Sequence, residues 1–123
     1  MTTSPMSVLY ELEQGHDGPA IPAVKRAYFQ QRFRNNMFNF LVDRFEIAKM
    51  KGLTKAALAR RIGKSPEQIT RWLGAPSNLT LDVASELLLG ICAEEFTPAA
   101  AEISGAPIKT AVHTETLPRF VND

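Results

Sequence analysis

The sequence predicts an all-α domain of four to five helices, with a long N-terminal helix and flexible tails. Three observations predict this class. Apolar residues recur every three or four positions between residues 29 and 48, which is the spacing of one face of a helix. Thr54, Ser65 and Thr80 each stand just before a short segment of the same periodicity, where a hydroxyl can cap a helix. Gly52 and Gly63 follow two such segments, in the position that a helix C-cap favours.

The composition is that of one globular domain with tails. The chain has 123 residues, of which 45% are hydrophobic and 22% are charged, which is enough apolar material for a core. No apolar run reaches the roughly 20 residues of a membrane span, and the N-terminus lacks the basic and apolar regions of a signal peptide. The single cysteine, Cys92, has no partner for an internal disulfide. We therefore expect a cytoplasmic protein with no membrane association.

Basic residues are concentrated in the middle of the chain. The net charge is only +1, but residues 25–71 contain twelve basic and three acidic residues and carry +9. Residues 1–24 carry −3, and residues 72–123 carry −5. A basic centre between acidic ends is the asymmetry expected of a surface that meets a polyanion such as a nucleic acid. A solvated helix face is the alternative interpretation.

The long predicted helix begins near Ala23 and ends before Gly52. Pro22 precedes it, and Lys49 and Lys51 suit the negative end of its dipole. Its apolar stripe consists of Phe29, Phe33, Met37, Phe40, Leu41, Phe45 and Ala48. Large apolar residues in its first half fit either additional core against the C-terminal segment or a dimer interface. These residues are Tyr28, Phe29, Phe33, Met37 and Phe38.

Three shorter helices are predicted after the long one. Their ranges are Lys55–Ile62, Pro66–Leu73 and Leu81–Ile91. Ser65 and Gln68 have the spacing of a capping box. Pro66 occupies the first position of its helix, where a missing N–H is tolerated.

The predicted organisation has three parts. Residues 1–22, which are rich in proline and glycine, form a flexible arm, and residues 23–92 form the helical domain. Residues 93–123 form a C-terminal extension that serves as a tail, a dimerisation segment or a partner-binding segment. Within it, Thr97 and Pro98 fit the start of a short helix, and residues 95–103 also fit an extended segment.

The segment 53–74, LTKAALARRIGKSPEQITRWLG, has the residue types that two helices need when they meet at a tight corner. Gly63 supplies the positive φ of the turn, and Ala59, four residues earlier, is small enough for a close crossing. Ile69 and Trp72 lie where the second helix must be anchored to the first. The predicted turn and inner face consist of Leu58, Ala59, Ile62, Gly63, Ile69 and Trp72.

This segment resembles the helix-turn-helix domain of the lambda repressor and Cro proteins, often called the XRE type. The similarity extends over residues 40–91, a little under half of the chain, and includes SNLTLDVASELLLGI after the corner. Residues 53–72 match every specified position of the family pattern L-T-x-x-x-L-A-x-x-x-G-x-S-x-x-x-I/V-x-x-W/Y. The resemblance implies a sequence-specific transcriptional regulator, a repressor, that docks as a homodimer on double-stranded DNA. In such proteins the second helix of the motif enters the major groove.

The resemblance also implies which residues contact DNA. The candidate base contacts are Glu67, Gln68, Thr70 and Arg71. Arg71 matches the edge of guanine, and Gln68 matches adenine unless the capping box occupies it. The candidate phosphate contacts are Thr54, Lys55, Lys64, Ser77 and Asn78, with longer-range attraction from Arg60 and Arg61. Pro66 departs from the polar residue that many members carry, and the loop 75–78 lacks the basic residues often found there.

Two other functions fit the sequence. An antitoxin would use the same domain to repress its operon, while acidic residues including Glu94, Glu95 and Glu102 bind a basic toxin. A protein-interaction module would keep the fold without binding DNA. An enzyme is not predicted, because His16 and His113 stand apart from any nucleophile or metal-ligand pattern. We expect no cofactor and no metal, and Cys92 is interpreted as a small apolar residue near the end of the last helix.

Overall fold

Four helices make up the framework of the part of the chain that the structure describes. The computed structural model describes residues 18–103, and its helices are α1 (Ala23–Met50), α2 (Lys55–Ile62), α3 (Pro66–Trp72) and α4 (Leu81–Cys92). All four lie in one compact unit, Pro22–Phe96. Residues 18–21 and 97–103 belong to a second unit and form neither helix nor strand. The predicted all-α class is confirmed, while the predicted flexibility of residues 1–17 and 104–123 concerns segments outside the described residues.

Side-chain hydroxyls begin the three short helices. The amide of Ala57 donates to Thr54 Oγ1 over 3.1 Å, and the amide of Val83 donates to Thr80 Oγ1 over 3.0 Å. Ser65 caps α3 through a reciprocal arrangement with Gln68. Each hydroxyl satisfies an amide that would otherwise lack a partner in the first turn. The helices therefore start where the local sequence signals predict.

The chain after α4 does not form the short helix that Thr97 and Pro98 would begin. Ala93 ends α4 in the left-handed conformation, with φ 59°, and residues 93–103 form neither helix nor paired strand; the extended alternative for residues 95–103 stays a prediction. Glu94 instead forms an ion pair with Arg44 of α1, and the tilted rings of Phe96 and Phe40 lie with their centroids 5.5 Å apart. These contacts hold residues 94–96 against α1.

The core joins all four helices. α4 packs against both α1 and α2, and α3 packs against α2. The most deeply buried large side chains are Leu41, Leu58, Ile69, Leu87 and Leu88. Burying each removes a whole aliphatic side chain from water, an effect of about 1.5–3 kcal/mol per residue. α2 therefore occupies the centre of the domain, between α3 and α4.

Gly90 allows α4 to approach α2 closely. A Cβ atom at this position would lie 2.6 Å from Cγ2 of Ile62 and 2.8 Å from Cδ1 of Leu58. Both distances are shorter than carbon atoms tolerate, so the two helices meet at this point only because residue 90 has no side chain. The backbone carbonyl of Gly90 also accepts a hydrogen bond from Nε of Arg61 over 2.8 Å.

The first half of α1 lies outside the core. The helix has 28 residues and is about 42 Å long, whereas α4, against which it packs, has 12. Its only buried residues are Leu41 and Phe45. Phe33 and Phe40, two members of the predicted apolar stripe, are 63% and 36% exposed, so the stripe does not enter the core along its whole length.

Replacing Gly90 with alanine is expected to lower the stability of the domain by up to about 2 kcal/mol. Overpacking a close contact costs roughly 1–3 kcal/mol, and the better helix propensity of alanine offsets about 1 kcal/mol of that cost. The measurement is urea unfolding followed by circular dichroism. Ser85→Ala, at an exposed position of the same helix, is the matched control and should not lower stability. A gain in stability of about 1 kcal/mol, the full helix-propensity benefit of alanine, would contradict the close approach.

Candidate nucleic-acid interface

The corner between α2 and α3 is built on Gly63. This residue has φ 69° and ψ 36°, the left-handed conformation, which costs other residues about 1–2 kcal/mol. The amide of Lys64 donates to the carbonyl of Ala59 over 2.9 Å and closes the end of α2. The chain then leaves α2 in a new direction and begins α3 three residues after Gly63, at Pro66. The two helices are therefore separate elements that meet at a tight turn.

The inner face of the motif fixes α3 against α2. Leu58, Ala59 and Ile69 are buried in the core, and Ile62 and Trp72 are partly buried against it. Because Ile69 comes from α3 and Leu58 and Ala59 come from α2, the same cluster sets the position of both helices. Close packing of these side chains resists rotation of either helix about its own axis.

The outer face of α3 carries three of the four predicted base-contacting residues. Glu67, Thr70 and Arg71 are exposed. The guanidinium carbon of Arg71 lies 5.9 Å from the centre of the Trp72 ring, so its side chain lies over the edge of the core rather than inside it. These three side chains form one polar surface, which we call the reading face.

The Gln68 side chain caps the N-terminus of α3. The amide of Ser65 donates to Oε1 of Gln68 over 2.9 Å, and the amide of Gln68 donates to Oγ of Ser65 over 3.2 Å. This reciprocal pair is a capping box, and the Gln68 side chain is half-buried. Of the two roles that the sequence leaves open for Gln68, the structure therefore shows the capping role.

Four of the five predicted phosphate contacts are exposed. Thr54 and Lys55 lie at the N-terminus of α2, and Ser77 and Asn78 lie in the loop before α4. Thr54 Oγ1 already accepts a hydrogen bond from the amide of Ala57, so its hydroxyl proton is left to donate outward. Lys55 adds a positive charge at the end of the helix where the dipole is also positive.

Lys64 and Arg61 are held by α4. Nζ of Lys64 lies 3.4 Å from a carboxylate oxygen of Glu86, and Nε of Arg61 donates to the carbonyl of Gly90. Sequence reasoning placed Lys64 among the phosphate contacts and Arg61 in the general attraction, because it could not show which acceptors α4 brings near. Exposed pairs such as Lys64 and Glu86 contribute little to stability, about 0–1 kcal/mol, but they reduce the positive charge that faces outward.

Sequence analysis missed a second polar cluster, which joins α1 to the end of α4. Nε of Arg44 lies 3.2 Å from Oε1 of Glu94, although the N–H does not point at that oxygen and makes no hydrogen bond. The Arg44 guanidinium also lies 4.8 Å from the centre of the Phe40 ring. No sequence signal relates these residues, since they are about fifty positions apart along the chain. Glu94, which the antitoxin interpretation assigns to a basic toxin, thus has a partner within its own domain.

Cys92 belongs to the same cluster. Its thiol lies 3.2 Å from Oε1 of Glu94, to which it donates. Desolvation first, and then the neighbouring Glu94 carboxylate, raise the pKa of the Cys92 thiol above its ordinary value. A neutral thiol is a poor nucleophile, which agrees with the interpretation of Cys92 as a structural residue.

The two packed helices, the glycine corner and the outward polar face define a helix-turn-helix domain of the kind found in DNA-binding regulators. A family model described as helix-turn-helix matches residues 46–89, which extend from the last turn of α1 into α4. This segment is a helix-turn-helix domain of the lambda-repressor-like, XRE type, as the resemblance in the sequence indicated. Members of this family are DNA-binding regulators and are generally not enzymes. No curated protein and no solved structure matches the chain.

Two further properties concern residues 18–103. None of their helices is both long enough and apolar enough to cross a bilayer. Within the same residues, no three histidine, cysteine or carboxylate side chains are grouped as metal ligands would be.

Replacing Gln68 with alanine is expected to destabilise the domain by about 1 kcal/mol, because the amide of Ser65 loses its acceptor. Gln68→Glu should retain wild-type stability, since a glutamate can accept the same hydrogen bond. Thermal unfolding of both variants provides the measurement. Thr70→Ala, a truncation at an exposed position of the same helix, is the control. If both Gln68 variants were as stable as the wild type, the capping role would be wrong.

Proposed function

We propose that this protein is a sequence-specific transcriptional regulator of the cytoplasm, a repressor that binds double-stranded DNA as a homodimer. The observation that carries the proposal is the reading face of α3, whose Glu67, Thr70 and Arg71 are exposed while Ile69 is fully buried. A helix with a fixed inner face and a polar outer face can lie in the major groove without rearrangement.

The chemistry of the reading face supports recognition of bases. Arg71 can donate two parallel hydrogen bonds to O6 and N7 of guanine, the geometry that its planar guanidinium favours. Thr70 offers a hydroxyl to either a donor or an acceptor, and its methyl group can contact the methyl of thymine. Glu67 can accept from N4 of cytosine. Three adjacent positions of different chemistry are enough to discriminate a short sequence.

The phosphate contacts would come from two places on either side of α3. Thr54 and Lys55 precede α3 in the chain, and Ser77 and Asn78 follow it, and all four are exposed. Contacts to phosphates position the domain on the duplex but do not select a sequence. With Lys64 and Arg61 bound to α4, we expect modest affinity for nonspecific DNA, with Lys55 carrying much of the salt dependence.

The decisive experiment is selection of bound duplexes from a random pool with the full-length protein. A regulator should enrich one motif, and a homodimer should enrich it as two inverted half-sites about one helical turn apart. The absence of any enriched sequence, together with no binding to duplex DNA at low salt, would favour the protein-interaction module instead.

Replacing Arg71 with alanine is expected to relax the preference at one base pair of each half-site. Loss of a bidentate contact to guanine costs about 1–3 kcal/mol of discrimination. The check is a repeated selection, or competition between the enriched duplex and its single-base variants. Unchanged discrimination at every position would show that Arg71 reads no base.

Replacing Lys55 with alanine is expected to weaken binding to all duplexes equally. The slope of the logarithm of affinity against the logarithm of salt concentration should fall by about 0.9, the value for one phosphate contact. The matched control is Arg34→Ala, which removes the same charge from the first half of α1, ahead of the buried part of the helix. A slope change shared by both variants would contradict a specific phosphate contact at Lys55.

A further inference from the structure

A carboxylate of α4 lies beside the corner of the helix-turn-helix. Nζ of Lys64 is 3.4 Å from Oε1 of Glu86, and the two side chains are 28% and 45% exposed. Lys64 is in the turn between α2 and α3 and directly precedes Ser65, the N-cap of α3. The ion pair therefore joins the start of the helix that carries the reading face to α4.

Packing between α4 and α2 places Glu86 at this corner. Glu86 and Gly90 are four residues apart on α4 and so lie on the same side of the helix. Gly90 is the point where α4 closely approaches α2, and its carbonyl accepts a hydrogen bond from Arg61. These contacts fix the turn of α4 that contains Glu86 near the end of α2. The carboxylate therefore stays near the corner even when the Lys64 side chain turns away from it.

Binding of α3 in the major groove would bring phosphates close to Lys64. A recognition helix enters the groove with its N-terminal residues against the base edges, so the phosphates that line the groove approach the residues around its start. The ammonium of Lys64 is carried on a flexible four-carbon chain and is only partly covered. A phosphate and the Glu86 carboxylate would therefore compete for the same positive charge.

We propose that Glu86 holds Lys64 away from the DNA backbone and thereby lowers the affinity of this domain for every duplex. The proposal rests on the DNA binding of the proposed function and assigns control of its strength to a residue of α4, outside the reading face. Because a phosphate contact carries no information about the bases, the effect of Glu86 is independent of sequence.

The size of the effect follows from the exposure of the pair and from the number of phosphate contacts. A single exposed ion pair changes an equilibrium by up to about fivefold. A lysine that neutralises one phosphate releases about 0.9 counterion. Lys55 is the one basic residue among the four exposed candidate phosphate contacts, so a freed Lys64 would add a second. Removal of the Glu86 charge should therefore change both the affinity and its dependence on salt.

Glu86→Gln tests the proposal, because it removes the charge and keeps the size of the side chain. The full-length variant should bind a duplex of random sequence about three- to tenfold more tightly than the wild type. The slope of the logarithm of affinity against the logarithm of salt concentration should become steeper by about 0.9, the value for one added phosphate contact. Fluorescence anisotropy of a labelled duplex over a series of salt concentrations measures both quantities.

Lys64→Met shows whether the gain passes through Lys64. This substitution removes the ammonium and keeps most of the side-chain length, and alone it should leave the salt slope of the wild type unchanged. Glu86→Gln added to Lys64→Met should give almost no gain, because no lysine is present to be freed. The matched control is Asp82→Asn, which removes the same charge from an exposed position of α4 that is not paired with Lys64. Its effect should be the same with and without Lys64.

Three results would overturn the proposal. Equal affinity of Glu86→Gln and the wild type would show that the pair does not limit binding. A gain of the same size in the Lys64→Met background would reduce the role of Glu86 to general repulsion of DNA. A shallower salt slope for Lys64→Met alone would show that Lys64 already contacts phosphate in the wild type. Urea unfolding of each variant gives the folded fraction, and Glu86→Ala, which removes the same carboxylate, should reproduce the gain.

The outcomes separate this proposal from the proposed function. A duplex of random sequence contains no chosen operator, so the effect of Glu86 can be measured even if selection enriches no motif and the regulator is contradicted. An enriched motif together with no effect of Glu86→Gln would overturn only the role of Glu86. No binding of the wild type or of Glu86→Gln to any duplex at low salt would overturn both.

Discussion

The position of α2 between α3 and α4 is the constraint on which the rest of the domain depends. α2 contributes Leu58 and Ala59 to the core that holds α3, and it meets α4 where Gly90 has no side chain. Arg61 strengthens that contact by donating to the backbone of α4. The orientation of the reading face is therefore set by a helix of eight residues that is fixed on both sides. A short helix keeps a fixed orientation only when its neighbours prevent it from moving, and α3 and α4 do this for α2.

Local signals predicted the helices well because their causes are local. A hydroxyl at Thr54, Ser65 or Thr80 caps the helix that directly follows it. Gly63 adopts the left-handed conformation because it has no side chain, so this turn also has a local cause. The spacing of Leu58, Ala59 and Ile69 around that turn predicted the corner for the same reason. At these positions, the residues that determine the local structure lie within about ten positions of each other in the sequence.

Contacts between distant parts of the chain could not be predicted in this way. Lys64 is predicted to contact phosphate, and nothing in the sequence showed that Glu86 lies beside it. The apolar stripe of α1 was predicted from periodicity, which reports the existence of an apolar face but not how much of that face a neighbouring helix will cover. Residues 94–96 follow no repeating pattern because individual contacts with Arg44 and Phe40 hold them. Nothing in a single sequence reveals such pairs before the topology is known.

The capping box has a consequence for how this domain can acquire new DNA specificity. Many proteins that bind the major groove could change their target sequence by substitution at any outward position of the recognition helix. In this domain, however, the residue at position 68 also stabilises the start of that helix. Only glutamine or glutamate at position 68 can accept the hydrogen bond from the Ser65 amide that completes the capping box. The outward positions of α3 at which a new DNA specificity can evolve or be engineered are therefore 66, 67, 70 and 71. A library that randomises these positions while leaving Gln68 unchanged would explore most of the specificities open to this helix.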